Sequence, residues 1–455
     1  MAASPQAYRP ERAILELGEA FYDPVSAADF PETRLRFRND RAAAEVGLDT
    51  LSDAEWLAHF GRFQPMPGSL DPPLALRYHG HQFRVYNPDI GDGRGFLFAQ
   101  LRDDRGRLMD LGTKGSGQTP WSRFGDGRLT LKGGVREILA TEMLEALGVR
   151  TSRTFSLIET GEALERGDEP SPTRSAVMVR LSHGHIRIGV FQRLAYTRDA
   201  ESMQRLIAYV LRHYFNEEAG ADGAVRLLDH VVRGTAKLAA SYMAAGFVHG
   251  VLNSDNINVT AESFDYGPWR FAPNWDPGFT AAYFDHAGLY AFGRQPEAIH
   301  WDAMQLAVAL RAVSEAEPLI AVLDTFGERY QPAVSDAVLW RLGVRPRDAE
   351  HDRAVVQAVE RGLRGEGASI DRFFFDSFGG QVPEGYGAAF DEARTVLAAY
   401  PPRADRSHAY WQGDAPCSML IDEVEAIWAA IDQRDDWGPL EAKIVAIRDM
   451  GEALR

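Results

Sequence analysis

The sequence predicts an α+β protein of two unequal lobes: a β-rich first lobe with one helix, a larger helical second lobe, and an N-terminal extension packed on that core. Two patterns carry the expectation. Short β-type runs broken by Gly and Asp turns occupy residues 91–179, and amphipathic helical periodicity takes over from about residue 200. A chain of 455 residues, 45% of them hydrophobic, has enough apolar material to fill such lobes. The expected divisions are 1–75 for the extension, 76–195 for the β-rich lobe and 196–455 for the helical lobe.

The extension mixes short helical patterns with Pro-rich turns such as Pro65-Met66-Pro67 and Asp71-Pro72-Pro73. Gly91-Asp92-Gly93-Arg94-Gly95 then reads as a glycine turn within a hairpin. Strands at Phe96–Leu101 and Leu108–Lys114 follow around a turn at Asp103–Gly106. A helix is expected between Gly134 and Gly148, because Val135, Ile138, Leu139, Met143 and Leu147 recur at helical spacing and Gly148 is placed to stop it. Glu137 falls on its first turn. Thr154–Ile158 and Ala176–Val179 read as further strands of a mostly antiparallel sheet, separated by a polar loop. In the second lobe the clearest helix buries Leu228, Val231, Val232, Leu238 and Tyr242, stops at Gly246 and delivers the chain to His249. More helices cover roughly 300–455, interrupted by a polar loop from Pro401 to Pro416.

Composition removes several classes of function. A net charge of −16 and a pI near 5.3 argue against a general nucleic-acid binder, whose phosphate contacts need clustered Lys and Arg. The one cysteine, Cys417, excludes an internal disulfide and any multi-Cys metal cluster. The amino terminus lacks a signal-type apolar stretch, and no apolar run approaches the roughly 18 residues that span a bilayer. A cytoplasmic protein with no nucleic-acid or membrane partner is expected.

The chemistry concentrates in His249-Gly250-Val251-Leu252-Asn253-Ser254-Asp255-Asn256, followed nine positions later by Asp265-Tyr266-Gly267. A catalytic Asp, a metal-ligating Asn and then an Asp ahead of an aromatic and a Gly is the order in which protein kinases arrange Mg-ATP. The spacing is altered, since Asp255 and Asn256 are adjacent here. Asn256 and Asp265 offer the hard oxygen ligands that Mg²⁺ or Mn²⁺ prefers. Alone, an Asp-Asn pair fits a turn or cap better than a metal site, and Asp265-Tyr266-Gly267 nine residues on tips the balance. Gly91 and Gly93 would let backbone N–H groups approach an anion, with Arg94 adding charge, although a lone Gly-x-Gly also fits an ordinary hairpin. Asp126-Gly127 by itself reads as a type I′ turn. Arg180, His183, His185 and Arg187 stand where a kinase offers apolar walls to adenine, and guanidinium groups suit phosphate rather than a purine face, although solvated arginines at a strand edge fit this segment as well. The pairs His79/His81 and His183/His185 lack a third ligand for zinc. His300-Trp301-Asp302, in a stripe with Leu306 and Leu310, reads as helix packing.

Several long motifs in order resemble the selenoprotein O family, YdiU in bacteria, described as pseudokinases that transfer AMP to protein hydroxyls. They are Tyr78–Phe83, Asn87–Arg94, Lys114–Arg128, the His249 block and Tyr290–Pro296, spread over nearly the whole chain. The resemblance implies a protein-kinase-like two-lobed fold and an ATP bound in inverted orientation. It further implies Asp255 as proton acceptor, Asn256 and Asp265 on the metal, and Lys114 paired with Glu137. Gly91, Gly93, Arg94, Lys114, Asp126, Gly127, Arg180, Arg187 and Asp265 are the implied ATP-binding residues, with the arginines on the terminal phosphates. ATP, Mg²⁺ or Mn²⁺, and proteins bearing Ser, Thr or Tyr hydroxyls are the implied ligands. Uridylyl transfer from UTP with Mn²⁺, kinase-type phosphoryl transfer and a non-catalytic nucleotide-sensing scaffold remain the alternatives. The chain departs from common family choices at Arg84, Thr113, Gln118 and Trp121. It ends at Gly451–Arg455 without the Cys or selenocysteine motif of many members, so disulfide control is not expected.

Overall fold

The computed structural model describes residues 7–167 and 169–455. Its first lobe is built on a nine-stranded sheet whose main path runs Tyr22–Pro24, Leu74–Leu76, Leu97–Arg102, Leu108–Lys114, Thr173–Ser182, Arg153–Leu164 and Arg34–Arg38. Pro10–Glu11 and Leu129–Thr130 pair alongside, and every ladder is antiparallel. The segment before residue 75 is thus woven into the sheet, supplying both ends of the path.

The expected turn at Asp103–Gly106 is present. Gly106 has φ +77°, and Asp103 Oδ1 accepts from the backbone N–H groups of Arg105 and Arg107. The glycine turn at 91–95 does not join two paired strands as predicted. A small hairpin, Gly80–Gln82 with Val85–Asn87, is inserted between Leu74–Leu76 and that turn, and it reaches across to the second lobe. Period-two patterning cannot show an excursion of this kind, because its strands are three residues each. Asp126-Gly127 is not a type I′ turn, which needs positive φ at both central residues; of the two only Gly127, at +69°, has it.

The helix of the first lobe runs Leu131–Ala146, three residues earlier than the apolar spacing indicated, because Thr130 caps it by accepting from Gly133 N. Glu137 therefore lies on its second turn. Twelve of its positions are buried, so it is covered on more than the sheet side. Gly134 lets it approach the sheet: a Cβ there would stand 2.3 Å from Leu157 Cδ1.

The second lobe is helical, and Gly223–Ala245 buries Leu228, Val231, Val232, Leu238 and Tyr242 as expected before Gly246 ends it at φ +69°. Helices Gln295–Leu310, Phe326–Arg341 and Ala349–Glu366 follow. The last two helices, Ile421–Arg434 and Gly438–Ala453, return to the first lobe and share a core with Ile138, Leu139 and Met143. Gln295 fixes the chain ahead of the site, since its buried amide accepts from His249 N at 3.0 Å and donates to Phe247 O at 2.7 Å. Among the described residues, no helix is long and apolar enough to cross a membrane.

Candidate active site

A cavity of about 700 Å³ lies where the two lobes meet. Gly91, Gly93, Arg94, Lys114, Asp126, Gly127, Arg180, Arg187, Asp255 and Asp265 all line it. Ten residues from distant parts of the chain thus converge on one space. Asn256 is not on the cavity wall, although it occupies the same short turn as Asp255, Ser254–Asn256. Its amide nitrogen donates to Val251 O at 2.9 Å, which leaves its oxygen without a protein donor.

Sheet register explains how two cations come together. Gly112 pairs with Arg180 and Lys114 with Met178, so Lys114 and Arg180 project from one face of adjacent strands. Lys114 is buried and ion-paired with Glu137 of the helix. Its ammonium also lies 2.7 Å from Asp265 Oδ1. Breaking such a pair strands a charge in a poor solvent, at a cost of about 3–5 kcal/mol, whereas an exposed pair contributes about 1 kcal/mol or less.

Arg180 and Arg187 are only 5% and 4% exposed. Arg187 Nη1 donates to Asp255 O at 3.1 Å and Nη2 to Asp92 Oδ1 at 3.3 Å, with its guanidinium 4.4 Å over Tyr78 and 4.8 Å over Phe264. Arg180 reaches Asp265 at 3.6 Å, and Arg187 reaches it at 3.9 Å. Even so, Arg180 Nε and Nη1 and Arg187 Nε have no hydrogen-bond acceptor. Buried guanidinium donors are seldom left unmatched, so this end of the cavity suits an anion.

The two carboxylates are set apart by their surroundings. Burial pushes the Asp255 carboxyl up to about 6, only partly opposed by Arg187. Burial acts on Asp265 in the same direction, but Lys114, Arg180, Arg187 and Arg94 outweigh it and hold its carboxyl well below the usual range. Asp265 sits at φ +62°, a conformation that Asp tolerates better than most residues. His249 secures it from behind, one ring nitrogen lying 3.0 Å from Phe264 O.

The inserted hairpin holds the Asp255 turn from above. His81 N donates to Ser254 Oγ at 2.7 Å, Phe83 N donates to Asn253 Oδ1 at 3.0 Å, and Tyr290 donates to the same oxygen at 2.8 Å. Gly80 makes the approach possible, because a Cβ there would lie 2.8 Å from Asp255 Cβ. At Gly91 and Gly93 the missing Cβ atoms leave room for Trp121, which would otherwise stand 2.6 and 2.8 Å away. Arg94 is exposed at the rim, and Asp126 is ion-paired with Arg166 at 2.8 Å. Of the four histidines considered for zinc, His79 pairs with Tyr86, His81 with Gln192, and His185 with Ser182 and Asp110, while His183 Nδ1 has no partner.

Tyr78, Gly80 and Asp92 lie inside motifs quoted above but were given no role there, and Phe264 was not singled out. Asp92 lay in plain sight between two glycines, but its carboxylate acts on an arginine 95 positions away, which no local pattern shows. Asp302, taken as packing, is fully buried with both oxygens unpartnered, and burial and the nearby Asp255 push its carboxyl well above the usual range.

A strand lysine paired to a helix glutamate, over a turn carrying a buried Asp, defines a kinase-like enzyme cleft between a β-rich and a helical lobe. A family profile described as protein adenylyltransferase SelO matches residues 6–385, and the chain belongs to that family. Over 474 positions it is 44% identical to the protein nucleotidyltransferase YdiU of Synechococcus elongatus, covering 97% of this chain and 95% of that one. The protein of the same name from Gloeobacter violaceus is 45% identical over 464 positions, 96% and 94% of the two chains. The chain is accordingly a nucleotidyltransferase. Among solved structures, ROP2 of Toxoplasma gondii, described as a virulence factor with a protein-kinase fold and no enzymatic activity, aligns at 13% identity. Its TM-score is 0.28 over 64% of this chain and 83% of that one, too low to carry weight.

The Gly80 contact yields a direct test of how tightly the Asp255 turn is held. Gly80→Ala should lower nucleotidyl transfer roughly tenfold to a hundredfold while leaving the thermal midpoint within a few degrees, as a displacement near 1 Å at a reacting group does. Unchanged transfer would mean that the hairpin does not fix Asp255.

Proposed function

We propose that this chain transfers AMP from ATP to Ser, Thr or Tyr hydroxyls of proteins, with the triphosphate tail against Arg180 and Arg187 and the α-phosphate beside Asp265. The carrying observation is the pair of buried arginines at the inner end of the cavity with donor atoms left over. A purine gives guanidinium groups few acceptors, whereas phosphate oxygens match them bidentately. An ATP inserted with its terminal phosphates inward leaves the sugar-proximal phosphorus nearer the Asp255 turn.

In this arrangement Asp255, its carboxyl poised near 6, accepts the proton of the acceptor hydroxyl as its oxygen attacks the α-phosphorus. The bond from the α-phosphorus to the bridging oxygen breaks, and pyrophosphate leaves against Arg180, Arg187 and Lys114. The Asp265 carboxylate and the free amide oxygen of Asn256 form a hard oxygen donor set, and they would hold Mg²⁺ or Mn²⁺. When bound, such an ion supplies charge neutralisation at the phosphates. Glu137 keeps Lys114 from collapsing onto Asp265 alone. The cytoplasm is the proposed place of action.

Parallel reactions with label on the α- or the γ-phosphate of ATP distinguish this chemistry from kinase-type transfer. Label should enter protein only from the α-position, with release of pyrophosphate, and Asp265→Ala should lower incorporation at least a hundredfold. Incorporation from the γ-position would refute the proposed polarity. The pH profile gives a second check. A carboxyl raised to about 6 keeps its proton up to that pH, so the base is active only above it. kcat/KM should fall about tenfold per unit below pH 6 and level off above it. A profile flat between pH 5 and 8 would remove Asp255 from the role of base.

A further inference from the structure

The helix bearing Glu137 is held by the end of its own chain. Lys132 on its first turn pairs with Glu425 at 2.7 Å. Glu142, nearly three turns on and only 4% exposed in its side chain, accepts both Nε and Nη2 of Arg448 at 2.8 Å. Gly451 allows the last helix to close on the end of the first, since a Cβ there would stand 3.1 Å from Ala146 Cβ. The same C-terminal pair also grips the sheet. Asp435 accepts from Arg174 at 2.7 Å and Arg36 at 3.1 Å, and Arg174 Nη1 donates to Ile431 O at 3.1 Å. These helices lie beyond residue 385, where the match to the family profile stops.

We propose that Ile421–Arg434 and Gly438–Ala453 form a built-in clamp that sets the Leu131–Ala146 helix, and through Glu137 the Lys114 ammonium, in its working position. Arg448 is the positioning residue. The bidentate pair with Glu142 lies 142 − 137 = 5 positions along the helix from Glu137, so tilting or sliding the helix at Glu142 must move the carboxylate that holds Lys114. A helix whose outer face is already covered in cis needs no partner protein to bring it home. The clamp rests on the proposed chemistry only for its kinetic readout.

The test uses the full chain with Arg448→Glu, Glu142→Arg and the two together. Each single change sets like charges face to face. It should lower kcat for nucleotidyl transfer at least tenfold, change the KM for ATP less than threefold, and speed amide hydrogen exchange in residues 131–146. The charge-swapped double variant should bring kcat and exchange back to within threefold of the wild type. Two results would overturn the clamp: faster exchange in the helix with unchanged kcat, or a double variant no better than the singles. If the wild-type chain transfers no nucleotide, the proposed function fails on its own, and the exchange data still decide whether Arg448 holds the helix.

Discussion

The cleft depends on one electrostatic constraint: three buried cations, Lys114, Arg180 and Arg187, share one nearby carboxylate, Asp265, at 2.7, 3.6 and 3.9 Å. Desolvating a cation costs several kcal/mol, so each must be matched or the site will not stay closed. Glu137 matches Lys114 and Asp92 matches Arg187, but Arg180 is left with donors to spare. The cavity wall as a whole carries seven Lys and Arg side chains against five Asp and Glu, a local excess of positive charge in a chain whose net charge is −16. A cavity with an excess of cations suits a small polyanion.

The surrounding structure holds those charges at fixed spacing. Sheet register sets Lys114 and Arg180 on one face, the inserted hairpin clamps the Asp255 turn, and His249 and Gln295 secure the chain on either side of it. Each of these contacts joins segments far apart in sequence. The opposing shifts of Asp255 and Asp265 follow from the same geometry, since the cations surround one carboxylate and largely miss the other. Two similar side chains are thereby shifted in opposite directions, which suits the proposed base role of Asp255 and the proposed ligand role of Asp265.

What the sequence disclosed, and what it hid, divides along local against long-range physics. The helix ending at Gly246, the turn at Asp103–Gly106 and the strand ending at Lys114 were legible because apolar period and turn chemistry act over a few residues. The candidate site residues came from motif order and the family resemblance, and ten of the eleven line one cavity. The bracing by Gly80, Asp92 and Arg448 was hidden, since each acts on a partner 95 to 306 positions away. The strands of the N-terminal segment were missed because two- to five-residue strands leave no period to detect.

The proposed polarity of the bound nucleotide would be visible in a crystal structure with a nonhydrolysable ATP analogue and Mg²⁺. The expected complex has the γ-phosphate on Arg180 and Arg187, the α-phosphate beside Asp265, and the base toward the outer rim. Adenine lodged against those two arginines, with the γ-phosphate facing the Asp255 turn, would contradict it.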